Sequence, residues 1–214
     1  MAAGWHWLLR FFNQPVPWQH AVISNYISIM GKYIPGKIWV VVGRAAYLKQ
    51  TCHIPINRVS FIALFAQLIA IWVGLLLGTP LLFDQFEESR HFFTLFLVFL
   101  LIIIAIFFAP KFIKSSSFGI LALNLRRIFF YCMVISLYII NWSLWCLGYW
   151  CFVNSFTDTS TSITIAPSFA ISAVAGIVAL IVPGGIGVRE TLLYMFLIQY
   201  GLPEYLALNI SLLS

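Results

Sequence analysis

Long uncharged blocks of apolar residues divide the chain, and three of them are long enough to cross a membrane as helices. They cover residues 60–83, 92–109 and 128–153. About 20 apolar residues in a helix match the thickness of the hydrocarbon core of a bilayer. A soluble protein would need polar helices to cover such blocks, and the sequence offers none. We therefore predict three full membrane spans.

Two further apolar segments are interrupted in the middle and resemble each other. The first, residues 18–50, is broken at Pro35-Gly36, and the second, residues 166–200, is broken at Pro183-Gly184-Gly185. Each segment is longer than the roughly 20 residues that one straight span needs. Proline and glycine interrupt helices, so each segment is predicted to form a helix, a break and a second helix.

The three predicted spans separate the two broken segments. If each broken segment is a hairpin, an odd number of crossings makes the two enter from opposite sides, as inverted repeats do. Non-helical backbone at membrane depth must be buried in protein or line a wet cavity, so the breaks would then frame a polar site. Alternatively, each segment is one full crossing followed by an interfacial helix, which would put the Pro-Gly breaks in surface loops.

The composition agrees with a membrane protein. Hydrophobic residues make up 62% of the chain and charged residues 8%, whereas soluble domains carry about 25% charged residues. We predict a single all-α domain over residues 1–214, a polytopic protein of the cell membrane with re-entrant helices around three spans. Residues 1–13 are expected to form an interfacial lead-in. The apolar segment 205–214 is too short to span, which suggests a fragment.

The distribution of charge predicts the orientation. The net charge is +6, and lysine and arginine gather at 44–58 and 111–127, whereas 84–91 and 154–165 are acidic or nearly uncharged. Because basic loops stay in the cytoplasm, the first two regions are predicted to be cytoplasmic and the other two outside. The basic residues form no continuous stripe, so no nucleic-acid partner is expected.

Charged residues stand beside both breaks. Lys37 and Arg44 are seven residues apart and share a helical face, while Arg189 and Glu190 fall in the first turn after the second break. A charge at the bilayer centre costs about 2.5–3.5 kcal/mol on insertion scales, so a functional role is the default hypothesis. The helix start could hold an anion, and arginine binds phosphate through two parallel hydrogen bonds. The alternative is that Arg189 and Glu190 pair with each other or with neighbours as structural contacts.

Other kinds of chemistry find no motif. The four cysteines and four histidines lack the spacing of a zinc site. The sequence has no GxSxG, no GxxxxGK[ST] and no HExxH, and "GGIGVRE" lacks the strand context of a dinucleotide loop. We therefore predict no enzymatic activity, no metal and no cofactor.

The stretches "GKYIPGKIWVVVGR" and "PGGIGVRE" resemble the lysylphosphatidylglycerol synthase transmembrane region, or flippase-like domain, family. Its best-known members are the multiple peptide resistance factors, in which this region is held to move an aminoacylated lipid across the bilayer. The resemblance covers about residues 5–200. It implicates Pro35, Gly36, Arg44, Pro183, Gly184, Gly185, Gly187, Arg189 and Glu190.

Two departures from the family pattern qualify what the resemblance implies. Relatives carry about two more helices before Trp5 and more after Ser214, so we expect truncation at both ends. The soluble transferase domain is also missing, so lipid synthesis is not implied. The leading hypothesis is a lipid translocase in which Lys37, Arg44 and Arg189 bind a headgroup phosphate and Glu190 contacts a cationic headgroup or holds Arg189. The alternative is a membrane accessory or partner of a lipid synthase or glycosyltransferase.

Overall fold

The computed structural model describes residues 1–31, 34, 38–85, 125–157, 160–179, 182 and 185–214 of the chain. Every regular element in this part is helical, as predicted. The helices are α1 Ala2–Phe11, α2 Trp18–Met30, α3 Ile38–Cys52, α4 Ile56–Gln85, α5 Leu125–Asn154, α6 Ala166–Val178, α7 Val188–Gln199 and α8 Glu204–Leu213, with a 3₁₀ turn at Ile163–Ile165 before α6.

Two of these helices are long and apolar enough to cross a membrane. The qualifying segments are Ile56–Thr79 within α4, with 24 residues, and Cys132–Asn154 within α5, with 23 residues. They coincide with the predicted spans 60–83 and 128–153. The third predicted span, residues 92–109, lies outside the described residues.

Helix α1 is an integral member of the bundle rather than a peripheral lead-in. Trp5, Leu8 and Leu9 are buried, whereas Arg10 is exposed. A Cβ placed on Gly4 would lie 2.8 Å from Cε2 of Tyr138, so α1 packs tightly on α5. The burial of three large side chains makes α1 a stabilising part of the core.

The first broken segment forms an antiparallel helical hairpin of α2 and α3. Residues contact each other in opposite order along the two helices. His20 Nδ1 lies 3.0 Å from the Tyr47 hydroxyl, and a Cβ on Gly43 would lie 3.3 Å from Ile27. Near the break, a Cβ on Gly31 would lie 2.9 Å from the Trp39 carbonyl. Glycine at these positions therefore lets the two helices approach closely.

The second broken segment forms an equivalent hairpin of α6 and α7. At its open end the Tyr200 hydroxyl donates to the Thr164 carbonyl over 2.8 Å. At its closed end a Cβ on Gly176 would lie 3.5 Å from Cβ of Arg189. In both segments, helix, break and helix occur as predicted, and the two helices pack side by side.

The region 44–58 is predicted to be a basic loop, although the second helix of the broken segment is also predicted to reach residue 50. The structure makes most of this region helical, so the loop prediction was wrong. Helix α3 continues to Cys52 and α4 begins at Ile56. His53 ends α3 with a φ of 57°, and Pro55 then starts the next helix, because proline lacks the N–H that a helix interior needs. The same turn recurs after α7, where Gly201 has a φ of 82° and Pro203 precedes α8.

The two hairpins are related by a constant shift along the sequence. A shift of 148 positions carries Pro35 onto Pro183 and Pro55 onto Pro203. The same shift carries the bounds of α2 onto those of α6, and the start of α4 onto the start of α8. An identical spacing of breaks and turns without gaps indicates an internal repeat of three helices, α2–α3–α4 and α6–α7–α8.

The two repeats point in opposite directions. Helix α4 packs on α6 in antiparallel order, since a Cβ on Gly74 would lie 2.5 Å from Val174 while Gly78 meets Ile171. Because α4 reverses α3 and α3 reverses α2, α4 runs in the same direction as α2. Helix α6 therefore runs opposite to α2. This is the relationship expected of inverted repeats.

Candidate functional site

Arg44 lies inside the first hairpin, surrounded by residues of three helices. Its Nη2 donates to Oδ1 of Asn25 over 2.8 Å, and its guanidinium carbon stacks 4.7 Å from the ring centroid of Trp5. Trp5 in turn donates from Nε1 to Oγ of Ser24 over 2.9 Å. We call Trp5, Ser24, Asn25 and Arg44 the Arg44 cluster.

Helix α2 supplies this cluster with a polar stripe. Its buried residues are Ala21, Ser24, Asn25 and Ser28, at the spacing that places side chains on one helical face. Both buried serines donate to carbonyls one turn back in α2. The stripe allows a guanidinium to sit against an otherwise apolar helix without losing all its hydrogen bonds.

Arg189 occupies the corresponding hairpin of the second repeat. Its Cβ faces Gly176, and its guanidinium carbon lies 5.0 Å from the ring centroid of Phe169. The side chain therefore runs along α6 from Gly176 towards Phe169, and Ser172 lies between these two on the same face. The Phe169 ring also packs 5.4 Å from that of Tyr149 on α5. We call Tyr149, Phe169, Ser172 and Arg189 the Arg189 cluster.

Both clusters contain buried polar atoms without a hydrogen-bond partner among the described residues. They are Nε of Arg44, Nε of Arg189, Oγ of Ser172 and the hydroxyl of Tyr149. The Tyr149 hydroxyl does lie beside Ser168, whose own hydroxyl donates to the Ile165 carbonyl. Leaving a buried donor unpaired costs about 1–3 kcal/mol. These atoms are therefore suited to a ligand.

Neither guanidinium forms an ion pair with an Asp or Glu side chain in the part of the chain that the structure describes. The polar partner of Arg44 is the neutral amide of Asn25, and Nη2 of Arg189 donates to the terminal main-chain oxygen of Ser214, the last residue of the chain. Glu190 is adjacent in sequence, but its Oε2 accepts from the backbone N–H of Gly187 at the start of α7. This contact caps the helix, where a carboxylate also matches the helix dipole.

Two glycines shape the start of α7. Gly185 has a φ of 76° and Gly187 a φ of 91°, a region that residues with a side chain adopt at a cost. A Cβ on Gly185 would also lie 2.6 Å from the Gly176 carbonyl oxygen. The turn before α7 therefore needs glycine at Gly185 for both conformation and space, and at Gly187 for conformation.

The predicted site residues fall into three groups in the structure. Arg44 and Arg189 lie in separate clusters that share no residue, and their joint contact with one phosphate stays a prediction. Glu190, Gly185 and Gly187 lie at the start of α7. The remaining predicted residues lie outside the described part of the chain: Pro35, Gly36, Lys37, Pro183 and Gly184.

The neutral contacts of the two arginines could not be predicted from the sequence. Trp5 and Tyr149 lie on helices that are far from the two arginines in sequence. No local pattern predicts that these two aromatic residues join the arginine clusters. Asn25 and the two serines of α2 did carry a signal, since polar residues at helical spacing interrupt an apolar segment. The described residues contain no group of three His, Cys, Asp or Glu side chains that could hold a metal ion.

Comparison with known proteins places these observations in a family. No curated protein and no solved structure matches the sequence. The family defined by the transmembrane (TM) region of lysylphosphatidylglycerol synthase matches residues 1–214, which is the whole chain. The match includes both hairpins, both arginine clusters and the two long apolar helices. The chain therefore belongs to the lysylphosphatidylglycerol synthase TM region family, a family of membrane domains.

Proposed function

We propose that this protein is a lipid translocase, which moves a phosphate-bearing headgroup between leaflets through a polar intramembrane cavity. The headgroup is anionic, aminoacylated or a lipid-linked sugar. The observation that carries the proposal is the pair of arginines in hairpins, each beside an aromatic ring and without an Asp or Glu partner among the described residues. No enzymatic step and no cofactor belong to the proposal.

The positive charge of the two guanidinium groups favours an anionic ligand. An unpaired charge within a membrane is unfavourable by several kcal/mol, and a bound phosphate would offset that penalty. Stacking on a ring fixes the plane of each guanidinium and leaves N–H groups along its edge for planar recognition of phosphate oxygens. In Arg44, Nη2 is held by Asn25 while Nε has no partner within the described residues. In Arg189, Nε is likewise unpartnered.

The lengths of the helices support re-entry of the hairpins into the membrane. Helices α2 and α6 have 13 residues each. A helix rises about 1.5 Å per residue, so each spans about 20 Å and falls short of the 30 Å hydrocarbon core. We infer that each hairpin dips into the bilayer and returns to the side from which it entered. The cytoplasmic position of the α3–α4 turn is part of this proposal.

The directions of the long helices support a third span. Helix α5 runs antiparallel to α6, because Trp150 donates to the Thr161 carbonyl at the junction and Trp145 stacks on Phe169 further in. Helix α4 is also antiparallel to α6, so α4 and α5 are parallel to each other. Parallel neighbours in one chain agree with the prediction of a third span between them. The protein would then be a multi-pass component of the cell membrane.

Reconstituted vesicles test the proposal directly. The purified chain is incorporated into vesicles that contain a phosphatidylglycerol, an aminoacylated phosphatidylglycerol or a lipid-linked sugar, each with a fluorescent label. A membrane-impermeant reductant then bleaches the label that is reachable from outside. We expect the wild-type chain to expose inner-leaflet label for at least one of these lipids, and Arg44→Ala and Arg189→Ala to slow this exposure to the rate of protein-free vesicles.

Arg10→Ala is the matched control, because Arg10 is exposed on α1 and stacks on Trp7 at 5.4 Å, away from both clusters. This variant should move lipid at the wild-type rate. Arg189→Lys keeps the charge but loses the planar fork, so it should fold normally and transport poorly. If the folded wild-type chain leaves all three labelled lipids protected, the translocase proposal fails. The accessory role beside a synthase or glycosyltransferase would then be the better hypothesis.

A further inference from the structure

We propose that the outer face of α2, formed by Ile23, Tyr26 and Met30, docks a transmembrane helix supplied by a partner membrane protein. The partner helix is apolar, runs antiparallel to α2 and carries two small residues four positions apart. This protein interface is independent of the proposed transport of a lipid. Its basis is the difference between α2 and α6, the equivalent helix of the second repeat.

The two faces of α2 differ in burial. One face carries the small and polar residues that lie beside Arg44, and it is buried. The opposite face carries three large side chains, of which Ile23 is 43% exposed, Tyr26 63% and Met30 74%. Residues at this spacing lie on one side of a helix. Helix α2 therefore presents a continuous stripe of large side chains that the described part of the chain leaves largely open.

The equivalent face of α6 is covered by another helix. The shift of 148 positions carries Ile23 onto Ile171 and Tyr26 onto Val174. Both residues of α6 contact α4, and Val174 is only 3% exposed. Among the described residues, α2 packs on α1 and α3, whereas α6 packs on α5 and α7 and also on α4. In this part of the chain the outer face of α2 therefore lacks the neighbour that its equivalent in α6 has.

The contact between α4 and α6 defines what a covering helix must look like. A Cβ on Gly78 would lie 2.4 Å from Ile171, and one on Gly74 would lie 2.5 Å from Val174. Small residues at these two positions let the helix backbones approach closely, as is common between helices in membranes. The side chains at the equivalent positions of α2 are as large or larger. A helix that covers them therefore needs a similar pair of small residues.

The direction of packing favours a different protein as the source of this helix. Because α4 runs antiparallel to α6, the covering helix runs antiparallel to α2. In a second copy with the same orientation in the membrane, α4 and α5 would run parallel to α2, which is the wrong direction. Helix α8 has the right direction, but its small residues at this spacing, Ala207 and Ser211, are buried within the chain. We therefore assign the outer face of α2 to a partner protein.

Disulfide cross-linking with a defined peptide tests the interface. The probe is a synthetic peptide with the sequence of residues 60–83, which includes the glycine pair of α4, and with Ala70→Cys. The full chain carries Met30→Cys, with its three cysteines that are not buried changed to serine, and both are placed in phosphatidylcholine vesicles. Ala70 lies one turn before Gly74, and Met30 lies one turn after Tyr26, so the two cysteines meet if the helices pack antiparallel. We expect this pair to cross-link.

Val178→Cys on α6 is the matched control. Val178 is equivalent to Met30 and is 57% exposed, but its helix already packs on α4, so it should not cross-link to the peptide. If it cross-links as strongly as Met30→Cys, the peptide has replaced α4 and the proposed interface is wrong. A peptide that also carries Gly74→Leu and Gly78→Leu should cross-link to Met30→Cys about tenfold less. Equal cross-linking of both peptides would mean random contact within the lipid and would reject the interface.

Variants of the outer face itself should lose the peptide without losing the fold. Ile23→Ala combined with Tyr26→Ala removes the side chains that pack on the glycines, so cross-linking should fall about tenfold at an unchanged melting temperature. Leu208→Ala, at a position that is 49% exposed on α8, should leave cross-linking unchanged. An unchanged yield in the double variant would contradict the proposal.

The same cysteine distinguishes the other possible occupants. Disulfide-linked dimers of Met30→Cys, formed as readily without the peptide, would assign the face to a second copy. A cross-link from Met30→Cys to a cysteine placed in the predicted span 92–109 of the same chain would assign it to the chain itself. Either result would overturn the partner proposal. None of these measurements depends on lipid movement, so the interface and the translocase stand or fall separately.

Discussion

Arg44 on α3 donates from Nη2 to Oδ1 of Asn25 on α2, across 2.8 Å within the first hairpin. The acceptor is a neutral amide, so the contact orients the guanidinium without neutralising it. The ring of Trp5, which lies on α1, packs against the Arg44 guanidinium and helps to hold it in place. A cation held in place without neutralisation is able to receive an anionic ligand, and this distinguishes the arrangement from a structural ion pair.

A negatively charged residue at position 25 should therefore stabilise the chain, and an apolar residue there should destabilise it. Asn25→Asp supplies a counter-ion in the same geometry and should raise the melting temperature of the chain in detergent. Asn25→Leu leaves the buried guanidinium with one hydrogen bond fewer and should lower the stability by about 1.5–3 kcal/mol. Asn209→Leu is the control, since Asn209 is exposed on α8. If Asn25→Asp destabilises as much as Asn25→Leu, Arg44 does not lack a counter-ion.

The glycines before α7 should differ in their tolerance of alanine. Gly185→Ala combines a φ of 76° with a Cβ 2.6 Å from the Gly176 carbonyl oxygen, so we expect loss of folded yield. Gly187→Ala meets nothing within 4 Å but has a φ of 91°, and should cost about 1–2 kcal/mol. Gly148→Ala, in open space within α5, should be neutral or stabilising by up to about 1 kcal/mol. Melting temperatures in this order would support the geometry of the turn, and equal values would contradict it.

Glu190 should act through the helix start rather than through the headgroup. Glu190→Ala removes the acceptor of the Gly187 N–H and should cost about 0.5–2 kcal/mol, as for other capping residues. Glu190→Gln keeps an oxygen in the same place, so it should retain most of the stability and the full transport rate. If Glu190→Gln folds normally but stops transport of an aminoacylated lipid only, the carboxylate contacts the cationic headgroup after all.

Opposite ends of the bundle should be reachable from opposite sides of the membrane. Because α4 and α5 are parallel, the turn before α4 and the loop after α5 lie at opposite ends. With Cys52, Cys132 and Cys151 changed to serine, an impermeant thiol reagent applied to intact cells should label Ser160→Cys and miss Thr51→Cys, both exposed positions. Permeabilised cells should show labelling at both. The reverse pattern in intact cells would invert the orientation, and labelling of both would contradict the inverted repeats.

Several features of the fold were accessible from the sequence because they are local. The length of an apolar run decides whether a helix can span, which located α4 and α5. Proline and glycine interrupt a helix at their own position in the chain. Their positions therefore located the breaks near Gly31 and before Gly185. The turn His53–Pro55 depends on equally local chemistry. The prediction relied on the basic residues around this turn instead, and so it made the turn too long. Helix α3 in fact places Arg44 in a helix interior.

Other features depend on contacts between residues that are far apart in the chain, which no local pattern encodes. Packing of α1 on α5 brings Trp5 under Arg44, and packing of α5 on α6 brings Tyr149 to Phe169. The sequence by itself therefore determined that the membrane domain contains broken helices with charges beside the breaks. Only the tertiary structure decided that the two arginines lie in separate clusters of opposed repeats, because that separation is set by how whole helices pack and not by where each charge stands in its own segment.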